Sequence, residues 1–189
     1  MHIGLYFGSF NPIHIGHLII SSYARHTTDL NQVWLVVSPQ NPLKPSKSLL
    51  NEYDRLHLIH KAIEDDQNLR VSDVEFKLPK PSYTVHTLAH LTEKYPQHTF
   101  SIIMGSDSFM NLTQWKNYAY IVSNYRIYIF ERPGFPVENK LGADICLLDA
   151  PLLEISSTKI REMIRTSIPI RYLVPDAVAK EIEANRYYR

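Results

Sequence analysis

One cysteine in 189 residues, Cys146, excludes an intramolecular disulfide and any cysteine-cluster metal site. Six glycines are too few for a collagenous or glycine-rich repeat chain. No apolar run approaches the ~20 residues that cross a bilayer. The opening residues Met1-His2-Ile3-Gly4 lack the basic region, apolar stretch and cleavage site of a secretory signal. Charge of one sign is also missing: 20 Lys and Arg stand against 19 Asp and Glu. A dedicated DNA or RNA binder carries a basic excess, because phosphate counterion release drives its affinity. These absences predict a soluble, cytoplasmic protein of a reducing compartment that partners neither nucleic acid nor membrane, with a homo-oligomer left open.

What is present is the balance of a folded chain, 44% hydrophobic and 21% charged residues. A chain of this length buries roughly 70% of its surface, enough for a core without staples. One domain spanning 1–189 is expected. Strand and helix signals alternate along it. Ile3 to Phe7, Val33 to Val37, Phe100 to Met104, 126–130 and Ile145 to Leu148 read as strands, and 69–76 as a further one with weak alternation. Residues 14–27, the stretch carrying Leu56, Ile59 and Ile63, and the stretch carrying Val85, Leu88, Ala89 and Thr92 read as helices. Two more are expected after Ser156 and after Pro175. This order means βαβ units with right-handed crossovers. The predicted fold is α/β, a Rossmann-like doubly wound parallel sheet with helices on both faces. A C-terminal helical extension begins at about 151. Ligands of such sheets sit at the carboxyl ends of the strands.

The first strand ends in Gly8-Ser9-Phe10-Asn11-Pro12-Ile13-His14-Ile15-Gly16-His17. This is neither GxGxxG nor a P-loop. It is still a small-residue turn from strand to helix, where open amides suit a phosphate. Gly8 and Ser9 let the backbone approach a ligand. His14 and His17, three apart, share one face of the first helical turn, and Gly16 leaves room for a flat group. The pair reads three ways: as surface or capping residues, as two zinc ligands, or as donors to phosphoryl oxygens. Near the other end, Ser156-Ser157-Thr158-Lys159-Ile160-Arg161 opens a helix. Ser156 suits an N-cap, yet Lys159 and Arg161 put cations at the positive end of a helix, which an anion there would explain.

These two segments resemble the signatures of the nucleotidylyltransferase superfamily. Pro81-Ser82-Tyr83-Thr84-Val85-His86-Thr87-Leu88, Met104-Gly105-Ser106-Asp107, Trp115-Lys116, Glu131-Arg132-Pro133-Gly134-Phe135 and Tyr172-Leu173-Val174-Pro175 narrow the likeness. The chain resembles the bacterial nicotinate-nucleotide adenylyltransferases over nearly its whole length. The resemblance implies an enzyme of NAD biosynthesis. The phosphate of nicotinate mononucleotide attacks the α-phosphorus of ATP, giving nicotinate adenine dinucleotide and pyrophosphate. It implies His14, His17 and Arg161 as the catalytic group. It implies Gly8, Ser9, Phe10, Gly16, Gly105, Asp107, Ile155, Ser156, Ser157 and Thr158 as the ATP site. It implies Lys44, Tyr83, Thr84, Thr87 and Trp115 as the site for nicotinate mononucleotide. Mg²⁺ would be held mainly by the ATP phosphates, with no dedicated protein ligand.

The sequence departs from the family's pattern in two loops. Phe7 stands for the first glycine of a Gly-Gly-Thr-Phe-Asp-Pro line, and Asn11 for its acid. Pro42-Leu43-Lys44 keeps one cation of a Pro-Pro-His-Lys line without its histidine. Competing readings are an adenylyltransferase for nicotinamide mononucleotide or another phosphorylated acceptor, a nucleotide sensor without turnover, and a zinc-dependent hydrolase. The His-Ile-Gly-His segment also resembles the first signature of class I aminoacyl-tRNA synthetases, for which the chain is too short.

Overall fold

The computed structural model describes residues 1–40, 49–151 and 154–189. Six parallel strands are arranged β3-β2-β1-β4-β5-β6: β1 (His2–Gly8), β2 (Gln32–Val37), β3 (Leu69–Ser72), β4 (Thr99–Gly105), β5 (Ile127–Phe130) and β6 (Ile145–Leu148). The helices between and after them are α1 (Ile15–Thr27), α2 (Glu52–Ala62), α3 (Thr84–Lys94), α4 (Ser106–Met110), α5 (Tyr118–Asn124), α6 (Ser157–Arg165) and α7 (Asp176–Ala184). Strand order reverses beside β1, which pairs with β2 on one side and β4 on the other. That is the doubly wound order, and its crevice lies between β1 and β4.

The near-continuous apolar strands are explained by burial on both faces. Along β1 and β2, Tyr6, Val33, Leu35 and Val37 join a core on one side with Ala24, Leu58, Ile160, Val178 and Ile182. The alternate residues Ile3, Leu5, Trp34 and Val36 join a second core with Val85, Leu88, Leu91, Phe109 and Ile121. So α1, α2, α6 and α7 cover one face, and α3, α4 and α5 the other. The C-terminal helices therefore pack on the first core. The segment between α6 and α7 reaches the start of α1, where Ile15 N–H donates to Leu173 O (2.9 Å). Among the described residues no helix is long and apolar enough to cross a membrane.

One strand is shorter than its expected range of 69–76. β3 stops at Ser72, and Val74–Lys77 forms a 3-10 turn. The chain leaves the sheet there and brings the buried carboxylate of Glu75 to Ser82 and Thr87. The short helices α4 and α5, which periodicity did not reveal, have too few residues to show a 3.6-residue repeat.

Candidate active site

A cavity of about 460 Å³ opens at the carboxyl ends of β1, β4 and β5. This is the size of a small-ligand site and the position the doubly wound sheet dictates. Ten of the residues expected from sequence line it: Gly8, Ser9, Phe10 and His17 from the first turn, Tyr83 and Thr84 from the start of α3, Gly105 and Asp107 after β4, Trp115, and Ser157 from α6. Lys44 lies outside the described residues. His14, Gly16, Thr87, Ile155, Ser156, Thr158 and Arg161 do not line it.

The first turn uses its small residues differently from the expectation. A Cβ on Gly8 would fall 2.9 Å from the Phe10 ring, and one on Gly16 3.1 Å from Nδ1 of His14. The space at Gly16 is therefore taken by the His14 ring, and at Gly8 the Phe10 ring takes the Cβ side while Gly8 itself still lines the cavity. Phe10 adopts a left-handed backbone (φ 44°) and is buried, packed edge-on against Tyr6 and His17. It holds the turn closed beneath His17.

His14 and His17 stack with ring centroids 3.6 Å apart and planes 26° from parallel. The backbone N–H of His14 donates to Nδ1 of His17 (3.3 Å). That bond occupies the Nδ1 lone pair, so the neutral His17 ring carries its proton on Nε2 and is a donor there. Stacked rings do not converge their lone pairs on one ion. Among the described residues there is also no group of three or more His, Cys, Asp and Glu able to hold a metal.

Burial, then the guanidinium of Arg132, pulls His14 down to about 4. Burial, then His14 and Arg132, holds His17 well below the usual imidazole range. Both rings are therefore neutral at pH 7. Between about pH 6.5 and the lowered value the unfolded chain binds more protons than the folded one, so stability falls as pH falls. For His14 the loss from pH 7 to pH 5 is about 2 kcal/mol. Urea unfolding at pH 7, 6 and 5 should show it, and His14→Gln should flatten the dependence. Equal slopes in both proteins would place the low-pH loss elsewhere.

α6 clamps the first turn from the far side. Ser156 caps it by accepting from the Lys159 N–H (3.2 Å). Ser157 Oγ donates to Pro12 O (2.9 Å), and Arg161 Nη1 donates to Asn11 O (2.7 Å). Arg161 Nη2 also donates to Thr158 Oγ1 (3.3 Å), while its Nε is buried without a partner among the described residues. Ile155 packs toward Gly16. Lys159 pairs with Glu162 (3.2 Å) on the surface and does not line the cavity. Asn11 holds a different neighbour, accepting the Leu50 N–H on its Oδ1 (3.2 Å).

At the other end of the cavity, Tyr83 and Thr84 begin α3. Thr87 departs from its expected contact with the acceptor. It is fully buried, and its hydroxyl donates to Glu75 Oε1 (2.9 Å). Trp115 is half-buried, packed against the second core with its neighbour Lys116 over the Tyr83 ring at 4.6 Å. Asp107 pairs with Arg132 Nε (3.3 Å). A Cβ on Gly105 would meet the side-chain ends of Asp107 and Arg132, so the pair sits close over this glycine.

Three site-forming residues carried no role in the sequence reading: Arg132, Glu75 and Arg55. Arg132 sat in the Glu131-Arg132-Pro133-Gly134 segment and could have been flagged as a cation just past a strand end. Glu75 and Arg55 sit in unremarkable stretches, and only the fold brings them to the loops they hold.

α1, α3, α5 and α6 carry no acid in their first turns, whereas α2 begins with Glu52 and Asp54, α4 carries Asp107 and α7 Asp176. Three of the four acid-free helix starts contribute a cavity residue, His17, Thr84 and Ser157. Three positive helix ends thus face one cavity, an arrangement suited to a ligand bearing several anionic groups.

The cytidylyltransferase-like family matches residues 5–163. With its doubly wound sheet and strand-end cavity, the chain belongs to that family of nucleotidyltransferases. A protein of Cytophaga hutchinsonii named "Probable nicotinate-nucleotide adenylyltransferase" is 50% identical to it, across 100% of this chain and 98% of that one. A protein of the same name from Flavobacterium psychrophilum is also 50% identical, with both chains covered in full (100%). More narrowly, then, the chain belongs to the nicotinate-nucleotide adenylyltransferases. Among solved structures, the Plasmodium falciparum nicotinic acid mononucleotide adenylyltransferase complexed with NaAD superposes with a TM-score of 0.85. At 21% identity, covering 99% of this chain and 97% of that one, it is a likeness of fold.

Proposed function

We propose that the cavity joins ATP and nicotinate mononucleotide. The phosphate oxygen of the mononucleotide attacks the α-phosphorus of ATP. The bond from that phosphorus to the bridging oxygen breaks, and pyrophosphate leaves. The substrate is its own nucleophile, so the protein's work is to align two anions and stabilise charge on the transferring phosphoryl group. The observation that carries this reading is the convergence of three acid-free helix starts on one cavity that also holds a half-buried tryptophan.

In this reading the polyphosphate lies over the first turn and the start of α6. His17 donates from Nε2, and an anion there raises the affinity of both imidazoles for a proton. Ser157 and Arg161 hold the turn that presents them. Asp107, kept in place by Arg132, accepts from ribose hydroxyls. The pyridine ring stacks on Trp115, and the nicotinate carboxylate meets the amides at the start of α3. A divalent cation, Mg²⁺ in this reading, arrives with ATP as part of the substrate, coordinated by phosphate oxygens and water. We place the reaction in the cytoplasm and take 1–189 to work as one domain.

The test is pyrophosphate release with ATP and Mg²⁺ and either nicotinate or nicotinamide mononucleotide, the dinucleotide being identified by chromatography. Strong preference for the acid is expected. A carboxylate site leaves groups unpaired when an amide binds. Preference for the amide would keep the phosphate chemistry and overturn the acceptor. In the same assay Trp115→Ala should raise the KM for the mononucleotide about 10-fold, the scale of one lost stacking contact with a cationic ring. The KM for ATP should move far less, and equal losses would make Trp115 a packing residue only.

A further inference from the structure

Glu75 is a carboxylate with 2% of its surface exposed, and it lines the cavity. No cation pairs with it among the described residues. Its partners are hydroxyls. Ser82 Oγ donates to Oε2 (2.7 Å), Thr87 Oγ1 donates to Oε1 (2.9 Å), and the Ser38 hydroxyl lies near enough to favour its ionised form as they do. These three come from separate segments: the end of β2, the residue before the α3 corner, and the first turn of α3. Tyr83 and Thr84, the cavity residues of α3, lie between the two anchors at Ser82 and Thr87.

A carboxylate only accepts, so all three hydroxyls can donate to it at once. A buried ionised group costs several kcal/mol, and an apolar residue of similar size would fold at lower cost. The charge makes sense as a fixing point for the chain around it. Burial pushes the Glu75 carboxyl upward, and the three hydroxyls act in the other direction.

We infer that Glu75 is a positioning residue for the acceptor: by gripping Ser82 and Thr87 it fixes the Tyr83–Thr84 corner against which the mononucleotide docks, and so sets acceptor affinity and not ATP affinity. The inference rests on the reading that the acceptor occupies this end of the cavity.

Glu75→Gln tests it. Gln has the same shape but turns one acceptor into a donor, so at least one hydroxyl must reorient. The expected result is a rise of about 10-fold in the KM for nicotinate mononucleotide, with the KM for ATP within threefold of wild type. Ser82→Ala, which removes a single anchor, should raise the acceptor KM about threefold to 10-fold and serves if Glu75→Gln does not fold. A parallel rise in both KM values, or an unchanged acceptor KM in both variants, overturns the inference while wild-type turnover leaves the functional reading intact. Wild-type protein without turnover on nicotinate mononucleotide overturns both.

Discussion

His17→Ala should lower turnover at saturating ATP and mononucleotide by ~10²-fold or more, the usual loss when one transition-state donor is removed. The effect is assigned to His17 and not to the pair because of how the rings are held. His17 lines the cavity and its Nδ1 is committed to the His14 backbone, so Nε2–H is the donor it has to offer. His14 stacks against it and does not line the cavity. Alanine also leaves a gap beside Phe10 and Tyr6, so the thermal midpoint must be followed with turnover. A variant that is folded at the assay temperature and turns over at the wild-type rate would remove His17 from the phosphate contacts.

The fold was legible because burial on both faces of the sheet produces unmistakable strands. Val33 to Val37 and Phe100 to Met104 are apolar at nearly every position, and both are interior strands of the sheet. The loop at the end of β1 could likewise be read as a wall of the strand-end cavity, since the doubly wound order puts a crevice there. What could not be read is which atoms fill the space beside each glycine. Gly8 and Gly16 look like ligand clearances in a one-dimensional string. In the folded chain Phe10 and His14 lie on the side a Cβ would take, and only Gly8 of the two lines the cavity. Thr87 fails in the same way: its spacing from Tyr83 and Thr84 is right for one helix turn, but that turn points it inward to Glu75. Lys159 reads as an anion contact until its side chain is seen paired with Glu162. Residues whose role is set by a partner distant in the chain leave no local signal, and the clearest of these is an arginine on α2.

Arg55→Met should cost about 3–5 kcal/mol of stability, the scale for breaking a buried charged network. The arginine is fully buried and donates to four main-chain carbonyls. Nη1 reaches Ser38 O (2.8 Å) and also Ser9 O, Nη2 reaches Pro39 O (3.2 Å), and Nε reaches Leu50 O (2.9 Å). No carboxylate pairs with it among the described residues. Burial pulls its pKa below the usual value, yet guanidinium stays charged. Methionine matches much of the stem and supplies no donor, so the carbonyls of three separate segments lose their common partner. Each buried carbonyl left unpaired costs ~1–3 kcal/mol. Arg55→Lys should recover less than half of the loss, because one ammonium cannot span carbonyls that a planar fork reaches from three nitrogens. Two of the segments carry cavity residues, Ser9 and Ser38. The KM for ATP and for the acceptor should therefore rise together in Arg55→Lys, in contrast to the acceptor-only rise expected of Glu75→Gln. Urea unfolding of both Arg55 variants gives the stability difference. A loss below about 1 kcal/mol would mean that water satisfies the four carbonyls. The two substrate loops would then be held by α6 and by the Asn11–Leu50 contact instead.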